Sequence, residues 1–345
     1  MTLVLAIESS CDESSVALVA PGPKVVAEAT LSQDALHGPW GGIVPELASR
    51  AHQERLAPLV ANVLQKAGKT LRDVTAVASA SQPGLLGPLL VGVTLGQTLA
   101  WSLGVPFLGI NHLLAHMHSV ELEDRKVPEG SLGLLVSGGH TLLLVLEGGG
   151  WRILGGTRDD AAGEAFDKGA RLLGLPYPGG ALLSKLASAG DRSRLKFPVA
   201  EAGQGQMSFS GLKSELRRRV EAGILGKERK EDVAAGYEEA IIQTLLKGVE
   251  ECLKATHGPG KVGQGGTLVV SGGVSRNAPL REAMLRCTRA RGMSLLLPED
   301  RWCTDNAAMI GAAAMARVER GESDGLMLEP SPRVDPRELM ARGSL

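Results

Sequence analysis

Apolar residues in this chain fall in short blocks, each ending in a turn rich in glycine, serine or acid. Leu3 to Ile7 is near-continuously apolar, as a strand covered on both faces requires. The polar turn Glu8 to Ser15 and a return strand, Val16 to Val19, follow it. The design recurs as strand Leu132 to Val136, turn Ser137 to Thr141 and return strand Leu142 to Leu146. Further strands are expected over Val74 to Ala80, Val105 to Ile110, Thr267 to Val270 and Leu295 to Leu297. Between them lies a helix over 43–67, with Pro45 in its first turn and Pro58 placed to kink or split it. Another helix is entered through the acidic run Asp159 to Lys168, and an Ala-rich one runs from about Arg301 to Arg320. Two strand–turn–strand blocks, each followed by alternating helix and strand, predict an α/β protein of two lobes with related topology.

Length and composition fit that picture. At 345 residues the chain is long for one core; 43% of residues are hydrophobic, 22% charged, and the net charge is −1. This is the profile of a soluble globular protein, without a net-charge case for nucleic acid or membrane. Aromatics are only 3%, so the cores must rest on Ala, Val, Leu and Ile. Four cysteines without CxxC spacing point to a reducing compartment, here the cytoplasm. The first apolar run is too short for a signal peptide and has no basic region before it. Leu85 to Asn111 carries no charge and is long enough to span a bilayer. Glycines and prolines interrupt it and no basic cluster flanks it, so a buried helix followed by a buried strand is expected.

Candidate chemistry begins at His112 and His116, which on a helix project from one face and could reach one divalent metal. A zinc protease would need Glu after the first histidine, where Leu113 stands. Asp305, at a helix start, could complete a set of two imidazoles and one carboxylate, suited to Fe(II) or catalytic zinc. Asp12 and Glu13 are poised in the first turn. Ser137 to Thr141 is a second Gly-rich turn. Gly272 and Gly273, between a strand and a helix, make a ready anion or nucleotide site that is neither a Walker A loop nor GxGxxG. Lys213, Arg217, Arg218 and Arg219 form a basic cluster able to meet phosphates, although Glu215 and Glu221 are interleaved with it.

Nine segments appear together and in order: 8–13 (ESSCDE), 42–50 (GIVPELASR), 111–116 (NHLLAH), 135–141 (LVSGGHT), 159–168 (DDAAGEAFDK), 177–180 (YPGG), 208–213 (SFSGLK), 271–277 (SGGVSRN) and 303–306 (CTDN). In these the chain resembles the bacterial tRNA N6-adenosine threonylcarbamoyltransferase family, once called glycoprotease or O-sialoglycoprotein endopeptidase. The resemblance implies two ribonuclease-H-like lobes of the actin/hexokinase (ASKHA) type facing across a nucleotide cleft. It places the N-terminal lobe at 1–110 with a return helix at 305–320, the nucleotide- and metal-binding lobe at 111–304, and an irregular extension at 321–345. It implies one divalent metal, iron foremost and zinc as the alternative, on His112, His116 and Asp305. It further implies that Leu135, Val136, Ser137, Gly138 and Gly139 hold an adenylate with Asp167, Gly180 and Asn277, the glycine backbone at phosphate, Asp167 toward ribose and Asn277 near the base. His140, Gly272 and Gly273 are expected as substrate contacts beside them.

The implied reaction moves a threonylcarbamoyl group from threonylcarbamoyl-AMP to N6 of the adenine 3′ of the anticodon, in tRNAs reading codons that begin with A. Asp12 or Glu13 is the expected base. The implied partners are tRNA, a paralogous non-catalytic subunit of the same fold and a small P-loop ATPase, with no membrane. Ser9 and Ser14 stand where the family commonly has Thr, Gln82 where it has Gly, and Ala181 where Pro is frequent; none removes a ligand. The competing readings are a nucleotide-dependent actin-like scaffold and, with Leu113 standing against it, a metalloprotease.

Overall fold

In the computed structural model of the chain, which describes residues 2–200, 203, 205–255 and 266–334, each strand–turn–strand block seeds a five-stranded sheet. The first part of the chain supplies β1 (Val4–Glu8), β2 (Glu13–Ala20), β3 (Lys24–Ser32), α1 (Asp34–His37), α2 (Pro45–Ala67), β4 (Ala76–Gln82), α3 (Leu86–Leu103), β5 (Phe107–Asn111) and α4 (His112–His118). The second supplies β6 (Leu132–Val136), β7 (Thr141–Glu147), β8 (Gly150–Gly156), α5 (Ala162–Leu172), α6 (Gly180–Ala187), α7 (Ser210–Glu221), α8 (Lys230–Ala255), β9 (Thr267–Ser271), α9 (Ala278–Arg289) and β10 (Ser294–Leu296). A last helix, α10 (Ala307–Glu319), packs back on β1 and β2.

Both sheets have the same plan. The first runs β3-β2-β1-β4-β5 and the second β8-β7-β6-β9-β10. In each, the central strand pairs antiparallel with its hairpin partner (Leu5 opposite Leu18, Leu134 opposite Leu143) and parallel with the strand on its other side (Leu5 with Val77, Leu134 with Val270). Every residue of β1 and β6 is buried, which is why both read as unbroken apolar runs. Edge strands β3 and β8, partly exposed and of mixed polarity, give no such signal and are absent from the sequence reading.

The chain divides into two compact units, with the first break after Val127 and the return at Pro298. The sequence-based breaks at 110 and 304 therefore shift. Strand β5 runs directly into α4, and α4 packs on α10, so the two histidines stay with the first unit.

Helix α2 runs unbroken through Pro58. Pro58 lies on the solvent side, where the carbonyl it leaves unbonded can be hydrated. Helix α3 is not enclosed as expected. Pro88, Leu89, Gly92, Val93, Gly96 and Ala100 face the protein, with Gly92 against Ser9 and Gly96 against the Phe107 ring, where a Cβ would not fit. The opposite side leaves Leu90 52% and Trp101 73% exposed. By length and composition α3 could cross a membrane, and a third of it is buried in the fold.

Beyond α10 the chain is irregular but pinned. Arg317 bonds Asp324 (2.9 Å) and Glu322 (2.7 Å), Gly109 N–H donates to Asp324 Oδ2 (2.9 Å), and Asp324 N–H donates to Phe107 O (2.9 Å). The extension thus covers the outer edge of β5. The rest of the expected extension, 335–345, lies outside the described residues.

Candidate active site

The candidate metal-binding set is built at the junction of β5 and α4. Asn111 ends the strand and caps the helix, its Oδ1 accepting from Leu113 N–H (3.0 Å) and Leu114 N–H (3.2 Å). This fixes the first turn of α4 so that His112 and His116 share one face, their rings edge to face with centroids 4.8 Å apart. Asp305 precedes the cap of α10, whose start is tied to β2 by Ala307 N–H donating to Ser15 Oγ (2.9 Å). His112 Nε2 and His116 Nε2 lie 3.5 and 3.1 Å from the same Asp305 oxygen. The three ligand atoms all fall within 4.8 Å of one another. Two imidazole nitrogens and one carboxylate oxygen converging in this way fit Fe(II) or Zn²⁺, whereas Mg²⁺ would call for oxygen ligands.

Around this set the electrostatics are strongly anionic. His112 Nδ1 lies 2.9 Å from Glu8 Oε2. Burial pulls the His112 pKa down, but Glu8 and Asp305 outweigh it and raise it to about 9. Glu13, in the turn with Asp12, is pushed well up by burial and then by the charges of Asp305 and Asp12. Burial and the same acids also raise the Cys11 thiol, which leaves it a poor nucleophile.

The acid turn is held from behind by residues the sequence reading passed over. His52 on α2 meets Ser14 Oγ through Nδ1 (2.9 Å) and Cys11 O through Nε2 (3.1 Å), Gln33 N–H donates to Asp12 O (3.0 Å), and His37 meets Gln33 Oε1 (3.2 Å). Their spacing carries no ligand signature; only the fold brings them together.

The second unit gathers the predicted adenylate residues. The Ser137–His140 turn is closed by Ser137 N–H donating to His140 O (2.8 Å), and nothing stands over Gly138 or Gly139 within 4 Å of a would-be Cβ. Leu135 and Val136 are buried in β6, so they offer a ligand backbone only. Gly163 at the start of α5 abuts Ser137 O and the Gly138 backbone, and Gly272, at φ 92°, abuts Val136 O; neither place admits a side chain. Gly273 begins the short turn before Asn277. Asp167 Oδ1 accepts from Gly179 N–H (2.9 Å) and Gly180 N–H (2.8 Å), while burial, the larger influence, raises its pKa. Asn277 is already engaged: its Oδ1 caps α9 at Leu280 N–H (2.8 Å), and its Nδ2 donates to Ser184 Oγ (2.8 Å) and buried Glu238 (2.7 Å).

The expected site residues therefore form two sets, one in each unit. The basic cluster in α7 is partly paired: Arg218 and Arg219 share Glu215 (2.8 and 2.7 Å), drawing its pKa down to about 2, and Arg219 also lies on the Phe197 ring.

A sequence profile for tRNA N6-adenosine threonylcarbamoyltransferase matches residues 24–312. The chain belongs to that family. A relative of that name from Anaeromyxobacter dehalogenans is 44% identical over 337 residues, covering 96% of this chain and 99% of the relative. One from Bordetella pertussis is 45% identical over 330 residues, 93% of each. Family membership makes this protein an enzyme, a tRNA-modifying threonylcarbamoyltransferase. Solved structures share the fold at low identity. HypF from T. kodakarensis has a TM-score of 0.64 at 15% identity, over 95% of this chain and 49% of its own. Component A of the Acidaminococcus fermentans (R)-2-hydroxyglutaryl-CoA dehydratase scores 0.54 at 14%, over 93% and 100%. These neighbours are of the ASKHA type, the architecture that the doubled sheet plan expresses here.

Proposed function

We propose that the protein transfers the threonylcarbamoyl group of threonylcarbamoyl-AMP to N6 of the adenine 3′ of the anticodon, in tRNAs reading codons that begin with A. The observation that carries this reading is the convergence of His112, His116 and Asp305 beside the Asp12–Glu13 turn, in a chain of this family. His112, His116 and Asp305 would hold a divalent metal, iron foremost and zinc the alternative, which would supply Lewis acidity toward the donor's carbonyl groups.

The protein's own groups do the rest. The open backbone of Gly138 and Gly139 receives the AMP phosphate, with Gly272 and Gly273 beside it, and Asp167 takes the ribose. Adenine N6 attacks the carbamoyl carbon, a C–N bond forms, and the C–O bond to the phosphate breaks to release AMP. Glu13 or Asp12, side by side in the turn next to the metal set, accepts the N6 proton. Asn277 acts by shaping the pocket wall, since its amide is committed to Ser184 and Glu238. The proposal includes the partners implied by the family, a paralogous subunit and a small P-loop ATPase, in a reducing cytoplasm.

Purified protein is incubated with unmodified tRNA, ATP, threonine, bicarbonate and the donor synthase, with and without partner proteins, and the nucleosides are read by mass spectrometry. Modified adenosine is expected with the wild type and is expected to vanish, together with bound metal, in His116→Ala and Asp305→Ala. Wild-type product formation by a metal-free Asp305→Ala protein would overturn the reading.

A further inference from the structure

Glu8 is the one charged residue in a strand that is otherwise apolar, and it is fully buried. A carboxylate there must be met by donors, and two reach it. Ser10 N–H donates to Oε1, and His112 Nδ1 lies 2.9 Å from Oε2, with Ser10 Oγ 3.1 Å from the same nitrogen. The other nitrogen of that ring, Nε2, is the one directed at Asp305. Since the two nitrogens lie on opposite sides of the imidazole, Glu8 stands behind the ring and outside the set of converging ligand atoms.

We propose that Glu8 is the positioning residue of the metal centre: it accepts the Nδ1–H of His112 and thereby presents the Nε2 lone pair to the point shared with His116 and Asp305. A neutral imidazole carries one N–H, and whichever nitrogen bears it cannot ligate. An acceptor fixed behind Nδ1 selects the ligating tautomer and locks the ring plane, the role carboxylates play behind metal-bound histidines generally. A buried carboxylate placed only for fold stability would have no need to select a ring nitrogen. The inference rests on reading His112, His116 and Asp305 as a metal site.

Glu8→Gln separates the roles with little change of shape. Ser10 N–H and His112 Nδ1 meet different oxygens of Glu8, and the amide oxygen can occupy only one of those places; an NH2 turned to the ring favours the tautomer protonated on Nε2. Metal-stripped wild type, Glu8→Gln and His112→Ala are titrated with Zn²⁺ against a chelating indicator, with far-UV circular dichroism to verify folding. Glu8→Gln is expected to bind Zn²⁺ about 10–100-fold more weakly than wild type. A folded Glu8→Gln protein that binds Zn²⁺ as tightly as wild type would overturn the positioning role and leave the metal site standing. Wild type that binds no Zn²⁺, or His112→Ala that binds it equally well, would overturn both. A second measurement needs no Glu8 variant. In zinc-loaded wild type with 15N-labelled histidine, NMR is expected to show His112 protonated on Nδ1 and metal-bound through Nε2. The reverse assignment would refute the proposal.

Discussion

With a carboxylate on each side, His112 holds a second ring proton in the metal-free protein until the pH approaches about 9. A metal at Nε2 must displace that proton, so proton and metal compete. Below about 9, the apparent Zn²⁺ affinity is expected to rise about tenfold per pH unit from this group alone, then level off. Titrations against a chelator at stepped pH measure the slope, and a flat profile from 6 to about 9 would contradict it. At this scale the pairing of His112 with His116 was legible in the letters, because a spacing of four on a helix sets both rings on one face. Glu8, His37 and His52 were not legible, because their partners lie far along the chain and no local spacing encodes them.

Among the elements, α10 is joined by ion pairs to the extension behind it. Asp324 receives Arg317 and Gly109 N–H together, so Asp324→Ala leaves a largely buried guanidinium and a strand-edge amide short of a partner. A loss of about 1–3 kcal/mol in urea unfolding is expected, and an unchanged midpoint would argue that the extension contributes nothing. Helix α7 teaches the opposite lesson. Its basic letters look like a phosphate site, yet Arg218 is already paired with Glu215. Arg218→Gln is therefore expected to leave both tRNA affinity and its salt dependence unchanged in filter binding across a KCl series. A clear drop in either would restore the cluster as a tRNA contact. Strands with two buried faces were readable and edge strands were not, since the apolar signal comes from burial rather than from strand conformation.

At the scale of the whole chain, the doubled design was visible in the sequence and the break points were not. A strand running straight into a helix leaves no compositional seam, so α4 gives no sign in its letters of the unit it joins. Both hairpins turn through equal lengths, Ser9 to Asp12 in one and Ser137 to His140 in the other. One turn is surrounded by carboxylates and the other opens on glycine backbone, so a cation suits the first and an anion the second. Stripping the ion with EDTA is expected to leave AMP affinity unchanged in calorimetry, while binding of the whole acyl-adenylate weakens. Equal losses for both ligands would mean that the nucleotide alone also depends on the ion. On the proposed reaction, a chelator would then separate holding the donor's nucleotide from activating its acyl group.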